Sequence, residues 1–300
     1  MSNQTPTIVH ITPGSALKPA ISAWEYYLRD QGRSSYTVKS FSGDMQLLAS
    51  YLPPDKGVGQ ISNIDLNHFL EWLQNERGVP CSAKTLARRI TSIKSFFRWL
   101  NKNGVILVDP AEKILQRSVI SPLPQVLTVE EQQKALEAAD SFRNSPSPDI
   151  RPYTLLTLLL ATGIKKGECL GIHINHIELD APNSSILFVR YASPRNRYKE
   201  RKIDLPGDWV AVYQEYLAQY HPDGQVFPWS PRRLEYLLED IGEKAGLTKH
   251  LSFDMCRWTC AVNDWTDGIE PEKIRQKMGV SKIQFREISM KLRQLSEFKA

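Results

Sequence analysis

The sequence predicts a mainly α-helical chain with a small β-sheet (α+β), divided into two domains. Apolar residues recur at helical spacing behind capping residues through most of the chain. Two adjacent segments near residue 190 instead show the short apolar runs that are typical of strands. The chain has 300 residues and 41% hydrophobic composition, which is enough to fill a core in each of two domains and excludes a disordered chain.

The first half of the chain predicts a compact bundle of four helices. Serines suited to N-cap positions stand at the starts of the candidate helices, and glycine or proline follows the ends of most of these helices. The longest candidate has one apolar stripe and carries Lys84, Arg88 and Ser92 on its other faces, which predicts a basic, hydroxyl-bearing surface. The four helices are predicted over residues 22–30, 34–52, 62–77 and 82–101.

Weak periodicity and repeated prolines predict an interdomain linker over residues 106–125. Residues 1–15 are expected to form a flexible tail, residues 16–105 the first domain and residues 126–300 the second. The second domain opens with a capping box of Thr128 and Glu131. Its predicted elements are a central helix over 153–161, two strands over 185–191 and 200–205 joined by a basic turn, and helices over 206–220, 230–245, 254–265 and 271–278.

Positive charge is concentrated in two short windows. The whole chain carries a net charge of +5. Residues 79–108 hold six basic side chains and no acid, and residues 190–202 hold six basic side chains and one acid. Outside these windows the chain is therefore net acidic. Local charge density displaces the counterions of phosphates, so two such windows indicate a nucleic-acid partner.

Several classes of protein are excluded by the same inspection. The four cysteines form neither a disulfide framework nor a CxxC zinc site, and the chain has no apolar run of membrane-spanning length, so we expect a cytoplasmic protein without a membrane partner. His173 and His176 have HxxH spacing but no third ligand nearby, which favours a surface loop over a metal site. No phosphate-binding glycine motif follows a strand. We therefore expect neither metal nor cofactor.

Six strings in fixed order stand out along the chain. In the first half they are GRSSYTVKSFSGDMQLLASYL and SAKTLARRITSIKSFFRWLNKNGVILVDPA. In the second half they are LLATGIKKGECLGI, KERKIDLP, LSFDMCRWTCA and MGVSKIQFREISM. Together these strings resemble the tyrosine recombinases, the phage integrases and chromosome-dimer-resolving enzymes that cut and rejoin DNA through a tyrosine. The resemblance covers about residues 20–290. It implies an N-terminal SAM-like helical core-binding domain, which binds DNA, and a catalytic-type domain.

The resemblance also assigns six catalytic positions, most of which carry an unusual residue. The two arginines that clamp the scissile phosphate in the family fall on Lys165 and Arg257, and lysine keeps the charge but loses the planar fork. The general-acid lysine of the turn falls on Asn196, or on Arg195 after a one-residue shift. The three remaining positions hold Asp254 in place of a basic residue, Val280 in place of histidine or tryptophan, and Ser289 in place of the tyrosine nucleophile.

These substitutions predict a chain that is not an enzyme: a catalytically inactive, degenerate tyrosine recombinase that clamps duplex DNA between its domains. Asp254 is expected to pair with Arg257 or to cap its helix, because a carboxylate facing a phosphate is repulsive. Valine transfers no proton, and the last tyrosine of the chain is Tyr236, ahead of the nucleophile position. The predicted DNA contacts are Ser34, Ser35, Tyr36, Lys39, Lys84, Thr85, Arg88, Arg89, Ser92, Lys94, Lys165, Arg195, Arg197, Lys199, Arg201 and Arg257.

The expected role of such a clamp is to recognise a specific double-stranded site for another machine, which makes transposition or replication proteins candidate partners. Residues 290–300 correspond in position to the segment by which family members dock on neighbours, and so predict homo-oligomers on DNA. Two alternatives stay open. The chain is an active strand-transfer enzyme that uses Ser289 or a tyrosine of a partner chain, or it is a protein-interaction scaffold without DNA binding.

Overall fold

A computed structural model of the chain describes residues 10–79, 81–116, 122–179 and 185–297. These residues form two compact units that divide between residues 121 and 122. Both are mostly helical, and the second contains a small antiparallel sheet. The predicted fold class is therefore confirmed. Across the described ranges, every helix is too short or too polar to cross a bilayer.

Four helices build the first unit: α1 (Leu17–Asp30), α2 (Ser35–Tyr51), α3 (Asn63–Asn75) and α4 (Ala83–Lys102). The hydroxyls of Ser34, Ser62 and Ser82 accept backbone N–H groups at the starts of α2, α3 and α4, as their positions in the sequence predict. Trp24 and Phe96 meet edge to face in the core, with ring centroids 5.3 Å apart. Large apolar side chains of all four helices thus share one core.

The described part of the predicted linker is not a free connector. Ile106, Ala111 and Ile114 are buried in the core of the first unit. Nearer the start of the chain, the backbone N–H groups of Val58 and Gly59 donate to the carbonyls of Ser15 and Pro13, so the end of the predicted tail is also held. Isolated apolar residues in a proline-rich segment can fill gaps beside a bundle, which explains the linker, whereas backbone hydrogen bonds hold the end of the tail. Residues 1–9 of the tail lie outside the described residues.

The second unit surrounds the apolar helix α6 (Arg151–Thr162), which is central as the sequence predicts. Around it lie α5 (Val129–Ser141), α7 (Lys166–Leu170), α8 (Gly207–Tyr220), α9 (Pro231–Lys244) and α10 (Phe253–Thr266). The sheet consists of β1 (Ile177–Glu178), β2 (Ser185–Val189) and β3 (Arg201–Leu205), in that order and antiparallel. Leu187 faces Ile203 across the β2–β3 pair, and both side chains are buried.

A smaller apolar cluster closes the C-terminal end of the second unit. It joins α10 to α11 (Pro271–Met278) and α12 (Lys282–Glu297). Helix α12 buries Phe285, Leu292 and Leu295 against its own chain. The described part of the segment that was predicted to dock on neighbours therefore packs within its own unit. That it mediates oligomers stays a prediction.

Gly163 allows α6 and α10 to approach each other at the end of α6. It caps α6 with φ of 60°, in the left-handed region, and a Cβ there would lie 3.2 Å from Sγ of Cys260. We expect Gly163→Ala to destabilise the second unit by about 2 kcal/mol, because it adds a tight contact to backbone strain. Urea denaturation measures the loss.

Gly246→Ala is the matched control for this prediction. Gly246 has a similar φ of 64°, but a Cβ there would meet no heavy atom of the described residues within 4 Å. Its substitution therefore reports the backbone strain alone, which costs about 1 kcal/mol. Equal losses for the two variants would contradict the role given to the contact with Cys260.

Candidate functional site

The first unit presents an exposed polar surface where α2 and α4 begin. Ser34 and Ser35 lie at the start of α2, followed by Tyr36, whose side chain is 83% exposed, and by Lys39. At the start of α4, Lys84 is exposed and Thr85 donates its backbone N–H to the cap Ser82. Exposure leaves the residues Ser34, Ser35, Tyr36, Lys39 and Lys84 accessible to a partner.

A buried carboxylate binds several side chains in the middle of this surface. Asp44 of α2 is buried and accepts a hydrogen bond from the Ser92 hydroxyl at 2.7 Å. It also pairs with Arg88, and lies 3.6 Å from Nε of Arg89. Sequence inspection missed Asp44, because its partners are more than 40 positions away in α4.

Two predictions about α4 change as a result. Ser92 is fully buried, so it cannot contact DNA, and its hydroxyl instead joins α4 to α2. Arg89 is nearly buried and donates to Sγ of Cys81 as well as lying beside Asp44. Arg88 stays half-exposed, and Nζ of Lys94 donates to the carbonyl of Glu112 at 3.3 Å. Of the predicted contacts on α4, Arg88 and Lys84 are the better-placed cations.

We expect Asp44→Ala to destabilise the first unit by about 3 kcal/mol, because two guanidinium groups and the Ser92 hydroxyl lose their shared acceptor. Thermal denaturation and hydrogen exchange of peptides from α2 and α4 measure the effect. Asp30→Ala is the control: Asp30 is an exposed acid at the end of α1. A stability loss of less than 0.5 kcal/mol for Asp44→Ala, the usual range for a surface change, would contradict this account.

In the second unit, the basic connection between β2 and β3 is a loop that contains a short 3₁₀-helix over Pro194–Lys199. Arg195 and Arg197 are exposed on it. Lys199 is half-buried, and its Nζ donates to Oδ1 of Asn196 at 3.0 Å. The same ammonium lies 5.2 Å from the ring centroid of Tyr198.

Arg201 is not available to DNA, contrary to the prediction. Its side chain is 7% exposed and forms a bidentate ion pair with Glu168, at 3.1 and 2.9 Å. Its Nε donates to the carbonyl of Lys277 at the end of α11. The physical reason is strand alternation, since Arg201 shares the inward face of β3 with Ile203 and Leu205.

Glu168 is the buried acceptor at the centre of this region. It takes hydrogen bonds from Arg201, from the Tyr191 hydroxyl and from the backbone N–H of Lys165. Burial alone would raise the pKa of Glu168, but the hydrogen bonds and charge of Arg201 dominate together with the other donors and lower it to about 2. Glu168 is thus ionised at neutral pH. The bond from the backbone N–H of Lys165 to Oε2 of Glu168 is half of a capping box, and the other half is absent because a lysine side chain cannot accept a hydrogen bond.

Lys165 and Arg257 line one cavity of about 480 Å³, formed by the start of α7, by α9 and by the start of α10. Arg257 is 7% exposed, and its two terminal nitrogens donate to the carbonyls of Gly163 and Met278, each at 2.5 Å. Those carbonyls lie at the C-terminal ends of α6 and α11, where a positive charge is favourable. Arg257 is therefore held in place before any ligand binds.

The charges around Lys165 are mainly positive. Burial is the largest cause that lowers the pKa of Lys165; the carboxylate of Glu168 opposes it, and the charges of Arg257, Arg201 and Lys199 lower the pKa further. The side chain of Lys165 is 39% exposed, and its Nζ lies 3.8 Å from Glu168. Glu235, Glu239 and Asp254 also line the cavity, so the excess of positive charge is local to Lys165 and Arg257, and there it is suited to an anion.

Asp254 neither forms a close pair with Arg257 nor caps its helix. The cap of α10 is Ser252, whose hydroxyl accepts the backbone N–H of Met255 at 3.3 Å. Asp254 stands exposed in the first turn, where the helix dipole favours a carboxylate, and its charge acts on Arg257 across the cavity that both residues line. Both predictions for Asp254 are therefore wrong, because serine provides the cap and backbone carbonyls satisfy the arginine.

The two remaining predicted positions lie in other cavities. Val280 follows α11 and lines a cavity of about 410 Å³ together with Lys199 and Arg201. Ser289 lies on α12, half-exposed, and donates to the carbonyl of Arg286 at 3.0 Å. Ser289 lines a third cavity of about 410 Å³ together with Trp265 and basic residues. It does not line the Lys165 cavity. The structure thus brings Lys165 and Arg257 together but not Ser289.

His173 and His176 lie at the ends of a short 3₁₀ turn, and the ring of His176 accepts the backbone N–H of His173. Across the ranges that the structure describes, histidine, cysteine and acidic side chains form no group of three that could hold a metal ion.

Family comparison matches both units of the chain. Residues 21–104 match the family described as phage integrase, N-terminal SAM-like domain, and residues 125–288 match the one described as phage integrase family. The second match alone spans more than half of the chain. It includes Lys165, Arg257, Val280 and the segment up to Ile288, next to Ser289.

Curated relatives and solved structures agree with these matches. The chain is 27% identical over 164 residues to a tyrosine recombinase XerC of Mycobacterium sp. (strain JLS), covering 54% of this chain and 55% of the relative. It is 30% identical over 155 residues to tyrosine recombinase XerC of Mycobacterium bovis (strain BCG / Pasteur 1173P2), covering 51% of each chain. The chain therefore spans about half the length of the curated relatives it matches.

Two solved structures show the same fold. A lambda integrase tetramer bound to a Holliday junction matches with a TM-score of 0.71 and 16% identity, covering 91% of this chain and 77% of that one. The XerH recombinase in a post-cleavage complex with a palindromic difH substrate matches with a TM-score of 0.70 and 17% identity, covering 92% and 83%.

These relatives correct one prediction from the sequence. A chain that is not an enzyme was expected from the substituted positions, but the matching relatives are named tyrosine recombinases, so that prediction is wrong. Its premise was that substituted residues at aligned positions remove activity. The names of the relatives do not support that premise.

Proposed function

The chain belongs to the phage integrase family of tyrosine recombinases, and from this premise we propose that it binds duplex DNA and takes part in DNA strand transfer. The observation that carries the proposal is the cavity in which Lys165 and Arg257 lie together, with an excess of positive charge around Lys165. Two cations that face one half-open cavity can bind a backbone phosphate and stabilise the charge that develops during its transfer.

Duplex binding is supported by the distribution of charge over both units. The exposed cations Lys39 and Lys84 belong to the first unit, and Arg195 and Arg197 belong to the β2–β3 loop of the second. Each can neutralise a phosphate, and neutralising about six to ten phosphates predicts an affinity loss of about 10³ to 10⁵ between 50 and 200 mM salt. Fluorescence anisotropy with labelled duplexes over this salt range tests the proposal. A flat salt response would favour the scaffold without DNA binding.

The nucleophile is proposed to be a tyrosine of a second chain, either another copy or another member of the family. Ser289 is an unsuitable alternative in this arrangement. Its hydroxyl donates to its own helix, and Glu272, the carboxylate beside it in the third cavity, is already bound by Arg275. A serine hydroxyl needs a base to become a nucleophile. The tyrosine would instead attack the phosphate from outside the Lys165 cavity.

Nicked suicide duplexes test this step, because a short fragment diffuses away after cleavage and traps the protein–DNA adduct. The duplexes come from selection of bound sequences out of a randomised pool. The protein is incubated alone and with a tyrosine-bearing recombinase of the family, and mass spectrometry then identifies the attached residue. We expect an adduct on tyrosine of a second chain, unchanged in Ser289→Ala.

The matched control is Ser296→Ala, since Ser296 also lies on α12 and donates to the carbonyl three residues earlier. An adduct that Ser289→Ala removes and Ser296→Ala retains would assign the nucleophile to Ser289. Absence of an adduct under every condition would contradict strand transfer. A role in recognising sites for transposition or replication proteins stays a prediction, and recovery of only DNA in a pulldown would argue against it.

A further inference from the structure

The positions at which the family resemblance places proton-transferring side chains carry unsuitable ones in this chain. Asn196, Val280 and Asp254 hold an amide, an isopropyl group and a carboxylate, and Arg195, the alternative to Asn196, stays protonated. When a tyrosine attacks a DNA phosphate, the leaving oxygen must gain a proton, and a well-placed general acid accelerates such a step about 10²- to 10⁴-fold. Strand transfer by this chain therefore requires a proton donor at a different position.

His250 is the histidine that lines the Lys165 cavity. It precedes α10 and lies four residues before Asp254, outside the six positions that the resemblance assigns. Lys165 and Arg257 line the same cavity, so a phosphate bound by these two cations lies in a space whose wall includes the imidazole. An imidazolium can donate a proton from either ring nitrogen, and histidine is the most frequent general acid or base in enzymes.

The residues on either side of His250 fix its backbone at the edge of this cavity. Nζ of Lys249 donates to the carbonyl of Val126 at 3.1 Å and to Oε2 of Glu131 at 2.7 Å, which ties the segment to α5. On the other side, Leu251 is buried in the apolar core of the unit. The side chain of His250 is 69% exposed. Its backbone is thus held, while its ring stays accessible to a ligand.

One carboxylate faces the imidazole without binding it. Oε1 of Glu239, on α9, lies 4.0 Å from Nε2 of His250, which is beyond hydrogen-bond distance. The same oxygen lies 3.8 Å from Nη1 of Arg232. A negative charge at this distance attracts an imidazolium, but its N–H groups stay free to donate to a phosphate ester.

Lys165 is the alternative donor in this cavity. It is also one of the two cations that hold the phosphate, and giving up its proton would remove a positive charge while negative charge develops on the phosphate. Arg257 and Arg232 stay protonated, and Lys166 is paired with Glu235 at 2.7 Å. Of the basic side chains that line the cavity, the histidine is therefore the one that can release a proton without weakening the phosphate site.

We propose that His250 is the general acid of strand transfer, an inference that rests on the proposed function. The phenolic oxygen of the tyrosine from the second chain forms a bond to phosphorus, and the bond between phosphorus and the leaving DNA oxygen breaks. The imidazolium of His250 gives its proton to that oxygen, and the proton of the phenol passes to water. Lys165 and Arg257 keep their charges throughout and stabilise the phosphate.

Sulfur in place of the leaving oxygen tests this role, because a thiolate leaves without being protonated. Nicked suicide duplexes are made with either the natural linkage or the bridging sulfur at the cleaved position. The tyrosine comes from a recombinase of the family whose own phosphate-clamping arginines are replaced, so that cleavage uses the cavity of this chain. His250→Gln should slow adduct formation about 100-fold on the natural linkage and less than about 3-fold on the sulfur linkage.

Two further variants make the outcome specific. Lys165→Gln removes a phosphate-binding charge and should slow both linkages by a similar factor. His68→Gln replaces an exposed histidine of α3 and should change neither rate. Thermal denaturation of each variant controls for folding, and the exposed His250 side chain predicts an unchanged stability for His250→Gln.

The outcomes separate the inference from the proposed function. If His250→Gln matches the wild type on the natural linkage, or slows both linkages equally, His250 is not the general acid although strand transfer stands. Selective rescue of Lys165→Gln by sulfur would overturn the inference in favour of Lys165, and a wild-type protein that cleaves the sulfur linkage alone would have no general acid. If the wild-type protein forms no adduct on either linkage, both the proposed function and the role of His250 are overturned.

Discussion

Arg257→Ala should lower the free energy of unfolding of the second unit by about 3 to 5 kcal/mol. The guanidinium group donates to carbonyls at the ends of two helices, α6 and α11, and each charge-assisted bond contributes about 1.5 to 3 kcal/mol. Alanine leaves both carbonyls without this donor in a buried place. Arg257→Lys should cause about half the loss, since one ammonium cannot span both acceptors with the geometry of a planar fork. Urea denaturation at pH 7 measures both values.

Arg233→Ala is the control for Arg257→Ala, because Arg233 is exposed on α9 and its substitution should change stability by less than about 0.5 kcal/mol. Lys165 is a half-exposed lysine in the same cavity, so Lys165→Gln should lower DNA affinity more than it lowers stability. A stable Arg257→Ala protein would show that Arg257 serves the phosphate alone. The expected result assigns it two roles, joining the helix ends and supplying charge to the cavity.

The helices could be predicted from the sequence because their signals are local. Ser34, Ser62, Ser82 and Thr128 cap helices where the sequence places them, and the apolar helix α6 occupies the centre of its core. The two-residue strand β1 was missed, since it is too short to show alternation.

Side-chain partners could not be predicted where they depend on contacts that are distant in sequence. Ser92 lies beside the apolar stripe of α4, and helical periodicity alone assigns it to the surface. It is buried because α2 brings Asp44 to the same place. A buried hydroxyl is tolerated only with a partner, and here that partner lies 48 positions away.

Arg201 is a different case, because the sequence contained the signal. Alternation along β3 places Arg201 on the same face as Ile203 and Leu205, both of which are buried. The basic composition of residues 190–202 outweighed that alternation in the prediction of a DNA contact. Which cations can contact DNA therefore depends on which of them are already paired with carboxylates of the protein. The net charge of a segment does not show this.

Acid should destabilise the second unit through protonation of Glu168. The folded pKa of Glu168 is about 2, below the ordinary value of 4.5, so the carboxylate contributes stability that is fully present above pH 4.5 and is lost as the pH falls towards 2. A difference of this size corresponds to about 3 kcal/mol. Urea denaturation between pH 7 and pH 3 should show about 2 kcal/mol of this loss in the wild-type protein, because pH 3 is still above the folded pKa of about 2.

Glu168→Gln should remove that pH dependence and lower stability by about 3 to 5 kcal/mol at pH 7. The amide carries no charge and so does not neutralise Arg201. In addition, both oxygens of Glu168 accept hydrogen bonds, from donors that include Tyr191 and the backbone N–H of Lys165, and the amide places a donor NH₂ group where one of these acceptors was. Hydrogen exchange of peptides from α7 and β3 should locate the loss beside the Glu168–Arg201 pair.

Glu272→Gln tests whether Glu168 stabilises the second unit because its ion pair is buried, or whether any carboxylate with a low pKa would do so. The hydrogen bonds of Arg275 and Gln276 also lower the pKa of Glu272 to about 2, but this pair lies at the surface of α11, where water screens it. We expect Glu272→Gln to change stability far less than Glu168→Gln. If the two variants lost equal stability, the buried Glu168–Arg201 pair would not be what holds α7, β3 and the end of α11 together. In that case the start of α7 would lack the fixed geometry on which a phosphate site of Lys165 and Arg257 depends.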